Sequence, residues 1–175
     1  MGMEFIDIYD SEKKLTGRSK MRKAEKLLPG EYMLVVLTLI ERPDLTFLIT
    51  QRSLDKAWAA GDWETTGGGV KKGESSFEGL CREVKEEVGL DVSGCSNEPV
   101  YWYRNDDPEG GDNYFTDIYH CHLDFSEEDV VLQEDEAIGF KFATLEEIKK
   151  LGEAGKFLHY KRILEALDAE EKSNR

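Results

Sequence analysis

Between Gly68 and Leu90 the chain sets out Gly68, five residues, Glu74, seven residues, and then Arg82-Glu83-Val84-Lys85-Glu86-Glu87-Val88-Gly89-Leu90. Glu83, Glu86 and Glu87 stand at i, i+3 and i+4, so a helix here gathers three carboxylates on one face. Like charges at those spacings weaken an isolated helix by roughly 0.2–0.5 kcal/mol per pair, so a purely solvated surface gains nothing from them. The pattern calls for a cation. Phe77, Leu80, Cys81, Val84 and Val88 fill the adjacent arc, which is apolar enough to be core. One side of the helix packs and the neighbouring side coordinates.

The ends of this helix are also written locally. Ser75-Ser76-Phe77-Glu78 reads as a capping box, and Gly89 suits the left-handed residue that closes a helix, so the spacing predicts a helix from about Ser76 to Val88. Carboxylate oxygens select a hard octahedral ion, Mg²⁺ or Mn²⁺, whereas zinc would call for Cys or His. Upstream, Gly67-Gly68-Gly69 taken alone reads as a flexible turn, glycine being able to adopt backbone conformations closed to other residues. No Lys-Ser or Lys-Thr pair follows it, so it is not a P-loop.

The run from Gly68 to Leu90 matches the Nudix box, and Ala59 to Val70 resembles the lead-in of Nudix hydrolases. The chain is therefore identified as resembling that family. The resemblance implies a Nudix fold, an α/β/α sandwich with a mixed sheet, where periodicity alone supports only mixed α and β. It implies hydrolysis of a phosphoanhydride in a nucleoside diphosphate linked to another moiety. Glu83, Glu86 and Glu87 become metal ligands, and the Gly68 backbone approaches metal and phosphates. Arg82 is implied to orient a glutamate without touching substrate. An ion pair with Glu78 or Glu86 reads that arginine equally well. Glu74 is read as supporting the loop.

Further residues enter as candidates. Arg52 and Lys56, at the end of an expected strand, suit phosphate contact, or else plain solvation. Asp135-Glu136-Ala137, with Phe142 six residues after the glutamate, resembles a family segment whose loop glutamate serves as metal ligand or general base; Glu134 competes with it. Whether Glu83 or Glu136 activates water stays open. Gln51 to Leu90, with Glu4 to Asp10 and Leu15-Thr16-Gly17, is similar to the Nudix subgroup related to isopentenyl-diphosphate isomerase. An isomerase is thus the rival reading. Against it, those isomerases carry a catalytic Cys where Thr65, Thr66 and Gly67 stand here, and a metal-binding His where Met33 stands. The third reading is a non-catalytic nucleotide-binding module, which would not need the complete carboxylate set.

At 175 residues the chain suits one domain, with residues 1–30 as an N-terminal extension. Its net charge of -14 repels polyanions, which disfavours nucleic acid as a partner and leaves small diphosphates. No apolar run approaches a bilayer span and the start carries no basic leader, so the expected location is the cytoplasm. Cys81, Cys95 and Cys121 form no CxxC pair, in keeping with a reducing compartment. The basic run Arg18 to Lys23 reads as solvated, with phosphate or a homodimer partner as the alternative contacts.

Strands are expected at Met33–Ile40, Phe47–Gln51, Val100–Tyr103, Tyr114–Leu123 and Phe140–Phe142. Helices are expected from Thr144 to about Leu151 and from Phe157 to Glu170. Asn105 to Asn113 reads as a long mobile connection. His120 and His122 share a strand face, but two ligands fall short of a tetrahedral zinc site. Asp106-Asp107 reads as turn chemistry. Trp58, Trp63, Tyr101, Trp102 and Tyr103 read as packing, with base stacking as the alternative.

Overall fold

A computed structural model describes residues 2–175. Its centre is β3 (Met33–Glu41), an almost unbroken apolar run of the kind that belongs to a strand buried on both faces. β3 pairs in parallel with β8 (Tyr114–His122) from Met33↔Tyr114 to Glu41↔His122. Around this pair lie β4 (Phe47–Arg52), β5 (Trp63–Glu64), β6 (Thr66–Gly69), β7 (Tyr101–Asn105) and β9 (Ala137–Ala143), all joined antiparallel. The path runs β5-β4-β3-β8-β7, with β6 on β3 and β9 on β4. The sheet is mixed, as expected, but Gly67-Gly68-Gly69 is no turn: it is held extended by antiparallel pairing with Val35, Val36 and Leu37 of β3.

The period of two along β3 sorts its side chains between two cores. Leu34, Val36 and Ile40 join Leu80, Val84 and Val88 of α1 (Ser76–Val88). Leu37 and Leu39 join Ile148 of α2 (Leu145–Glu153) and Ile163 and Ala166 of α3 (Tyr160–Ser173). Helices cover both faces, giving the α/β/α sandwich. Separately, β1 (Phe5–Tyr9) and β2 (Leu15–Met21) form a two-stranded hairpin. Its Ile6 and Ile8 form a small core with Leu27 and Met33, and Tyr9 bridges to Tyr32.

The structure moves some expected boundaries. α3 begins at Tyr160 and not at Phe157, because Phe157 bridges Trp63 and His159 turns left-handed at φ 55°. The run Arg18 to Lys23 is not simply solvated. Arg18 and Lys20 clamp the buried Glu31, and Arg22 donates to Glu4 at 2.7 Å. The connection after β7 is tied down by its own side chains: Gly110 N–H donates to Asp107 Oδ1 at 2.9 Å, and Asp107 N–H to Asn113 Oδ1 at 2.7 Å. Asp106 accepts from the Tyr32 hydroxyl at 2.5 Å. Both aspartates therefore do turn and anchoring work. Among the described residues no helix is long and apolar enough to cross a membrane.

Candidate active site

α1 arrives in register because both its ends are fixed. Ser75 Oγ accepts from Glu78 N–H at 3.2 Å while the Glu78 carboxylate accepts from Ser75 N–H at 2.8 Å, closing the capping box; Gly89 ends the helix at φ 76°. Ser76 of the first turn donates to Asp117 of β8 at 2.6 Å and accepts from the Tyr119 hydroxyl at 2.9 Å, which pins that turn to the sheet. With Leu80, Val84 and Val88 fully buried beneath, the arc carrying Glu83, Glu86 and Glu87 faces the glycine strand β6.

Arg82 is the hub of this arc. Its guanidinium donates to Glu74 Oε1 at 2.6 Å and Oε2 at 3.0 Å, to the Gly69 carbonyl at 2.9 Å, to Glu83 Oε1 at 2.8 Å and to Glu86 Oε2 at 3.2 Å. Of the ion pairs expected of Arg82, the one with Glu86 forms, while Glu78 is taken by the cap. Glu74 also accepts from Lys71 N–H at 2.8 Å and so ties the loop before the helix. Burial pushes Glu74 up, but the bonds from Arg82 and Lys71 outweigh it and hold the carboxyl below its ordinary value.

Two glycines of β6 are required by close approach. A Cβ on Gly67 would strike the Val36 carbonyl, and one on Gly68 would press into the Glu83 carboxyl, nearer in each case than real Cβ atoms come. Gly68→Ala should therefore displace Glu83 without touching the core. A misplacement of about 1 Å at a reacting centre costs roughly 10²-fold in rate, so turnover should fall by about that much while the melting temperature changes little. Steady-state kinetics beside a thermal melt check this.

The facing wall comes from β4, β5 and the loop before β9. Arg52 donates to Glu64 at 3.1 and 3.2 Å and to the Trp58 carbonyl at 3.0 Å, and Lys56 pairs with Glu136. The Glu136 loop is held from both sides: its carbonyl accepts from Ser53 N–H at 2.9 Å, and Gln133 N–H donates to the Glu87 carbonyl at 3.0 Å. The structure thus brings Arg52, Lys56, Gly68, Arg82, Glu83, Glu86, Glu87 and Glu136 around one cleft of about 380 Å³. Glu134 stays exposed and does not line it.

Sequence reasoning missed Glu64, and it gave Arg22 no place beside Glu83. Both line the cleft, together with Glu4 and Lys23. Six carboxylates (Glu4, Glu64, Glu83, Glu86, Glu87, Glu136) thus face five cations (Arg22, Lys23, Arg52, Lys56, Arg82). The balance is worst at Glu87. Burial, then the charges of Glu83, Glu64 and Glu136, push its carboxyl well above the ordinary range. Glu83 and Glu64 are also raised by burial, against the pull of Arg82 and Arg52 respectively. A group of hard oxygen donors that lacks positive charge is what a divalent cation would complete.

Beside the cleft lies a second, more apolar cavity of about 690 Å³, lined by Trp58, Tyr114, Phe157, His159 and, shared with the cleft, Arg22. Trp63, Tyr101, Trp102 and Tyr103 line neither cavity. His120 and His122 lie elsewhere, at the far end of β8.

A model of the NUDIX domain family matches residues 31–163. The chain belongs to that family. This Nudix hydrolase is 34% identical over 161 residues to a Nudix hydrolase of Listeria monocytogenes, covering 90% of each chain. It is 42% identical to the 8-oxo-dGTP diphosphatase of Proteus vulgaris over 48 residues, 27% of this chain and 42% of that one. Among solved structures it resembles a MutT protein of Methanosarcina mazei, with a TM-score of 0.64 at 25% identity over 87% of this chain and 99% of the other.

Proposed function

We propose that this Nudix hydrolase uses Mg²⁺ or Mn²⁺ to cleave a phosphoanhydride bond in a nucleoside diphosphate linked to another moiety. The observation that carries the reading is the excess of carboxylates at the cleft, concentrated where Glu83, Glu86 and Glu87 meet the Gly68 backbone. These four would hold the ion, which when bound neutralises diphosphate charge and polarises phosphorus. Arg82 positions Glu83 and Glu86 through the fork that also grips Glu74. Arg52 and Lys56 are at present held by Glu64 and Glu136, and in this reading they exchange those partners for phosphate oxygens.

The adjoining cavity gives the other end of the substrate a place. Trp58, Phe157 and Tyr114 offer flat apolar surface for a base, and Arg22 lines both spaces, where it could meet the phosphate that joins the two ends of a substrate. Arg22 belongs to residues 1–30, so we read that extension as part of one functional unit with the rest of the chain. The net charge of -14 suits a small ligand drawn to a metal-loaded cleft better than a long nucleic acid.

A substrate panel tests this: nucleoside triphosphates, nucleotide sugars, ADP-ribose, dinucleoside polyphosphates and isoprenoid diphosphates, each with Mg²⁺ and then with EDTA. Hydrolysis of at least one nucleoside-linked diphosphate, abolished by EDTA, is the expected result. Failure on every phosphoanhydride with conversion of isopentenyl diphosphate to its allylic isomer would reverse the assignment. On the active substrate, Glu83→Gln and Glu136→Gln identify the base, which should lose kcat while metal affinity persists.

A further inference from the structure

Glu41 and His122 sit side by side at the carboxyl ends of β3 and β8, five residues past Val36, whose partner on β6 is Gly68. At about 3.3 Å per residue that is roughly 17 Å along the sheet from the register of Gly68, and none of Glu41, His120 and His122 lines the cleft. His120 lies one pleat back on the same face as His122, and their rings stack with centroids 4.2 Å apart. Sequence spacing set these histidines aside for want of further ligands. The fold supplies them.

Glu41, His120 and His122 each offer a ligand atom, and the three atoms lie within 4.8 Å of one another. Glu41 Oε2 is 2.6 Å from His120 Nε2 and 3.5 Å from His122 Nδ1. Behind His120, its Nδ1 stands 2.5 Å from Glu170 Oε2 of α3. A neutral imidazole has one donor and one acceptor nitrogen, yet both nitrogens of this largely buried ring face carboxylate oxygens. The imidazolium satisfies both by donating twice, whereas the neutral ring with Nδ1–H given to Glu170 leaves the Nε2 lone pair facing the Glu41 carboxylate, and a metal cation between them would be bound by both. The carboxylate behind a ligating histidine is the usual device that fixes its tautomer.

We propose that Glu41, His120 and His122 form a second metal site, for Zn²⁺ or a similar borderline transition ion, with Glu170 positioning His120. Zinc–ligand bonds of about 2.0–2.1 Å set tetrahedral ligand atoms about 3.3 Å apart; the separations from Glu41 are 2.6 Å and 3.5 Å, and no pair of the three exceeds 4.8 Å. Imidazole ligands separate this site chemically from the all-oxygen cleft. His122 is 69% exposed, and a hollow of about 290 Å³ with Arg42 and Asp124 opens beside it, so the ion has an entry path and a free fourth position. Binding would tie the end of α3 to the two central parallel strands.

The test is a Co²⁺ titration of the full chain in saturating Mg²⁺, which occupies oxygen sites, followed by visible absorption and equilibrium dialysis. One Co²⁺ per chain with the bands of a nitrogen-ligated tetrahedral ion, displaced by Zn²⁺, is expected. His122→Ala, at an exposed position, should weaken binding by more than tenfold, and Glu170→Gln by roughly 10–100-fold, with Mg²⁺-dependent hydrolysis and the folded circular dichroism spectrum kept in both. Absence of Co²⁺ binding, or binding that survives His122→Ala and disappears in Glu86→Gln, would overturn the proposal.

Discussion

Glu87→Gln should lose turnover by roughly a thousandfold while the metal-free protein melts no lower than wild type. The rate loss follows from removing an ion ligand whose contribution to transition-state charge is several kcal/mol, at about 1.4 kcal/mol per factor of ten. The stability half has an independent cause. In the metal-free fold the Glu87 carboxyl is raised by burial and by Glu83, Glu64 and Glu136, so the folded chain holds its proton where the unfolded chain gives it up. A raised acid destabilises the fold above the unfolded value of about 4.3 and has no effect below it. Glu87→Gln should therefore gain on wild type as pH rises through that range and match it near pH 4. Excess Mg²⁺ should reverse the order at neutral pH by stabilising wild type alone. Glu86→Gln should show the same fall in rate with a smaller stability change, since Glu86 is half exposed. Thermal melts at several pH values, with and without Mg²⁺, beside kinetics, separate the two effects.

Arg82→Ala should do the opposite to the fold. The guanidinium, 17% exposed, is the shared partner of Glu74 and Glu83, which are 21% and 12% exposed. Taking it away strands two poorly solvated carboxylates and one carbonyl, and removing one partner of a buried pair costs about 3 kcal/mol or more. In a chain of this size that lowers the melting temperature by roughly 6–12 °C. Turnover should drop as well, since Glu83 and Glu86 lose their common orienting group. Arg82→Lys keeps the charge but not the fork, so it should recover part of the stability and little of the rate. An unchanged melt for Arg82→Ala would mean that the hub contributes nothing to folding.

What was legible in the sequence is what local chemistry decides. α1 occupies Ser76–Val88 as the capping box and Gly89 foretold, and the apolar run of β3 lies where its composition put it. The carboxylate arc follows from spacing alone. Glu64 carried no comparable signal, because its place beside Glu87 depends on β5 pairing Thr50↔Glu64 with β4. Arg22 reaches the cleft only through the β1–β2 hairpin, whose docking on Met33 and Tyr32 is set by tertiary packing. For the same reason Arg52 and Lys56 read as free cations, and the structure holds each by a carboxylate from a distant segment. The histidine pair shows the limit most plainly: spacing placed two ligands on one face, and only strand order brings Glu41 to them.

Attack of water on a phosphorus of a nucleoside-linked diphosphate at this cleft would leave its trace in turnover run in H₂¹⁸O. With the best substrate and Mg²⁺, mass spectrometry should find one ¹⁸O in a phosphate group of a product, formed by wild type and lost with the rate in Glu87→Gln. Product formed without ¹⁸O in any phosphate group, or labelled product made equally fast by Glu87→Gln, would contradict it.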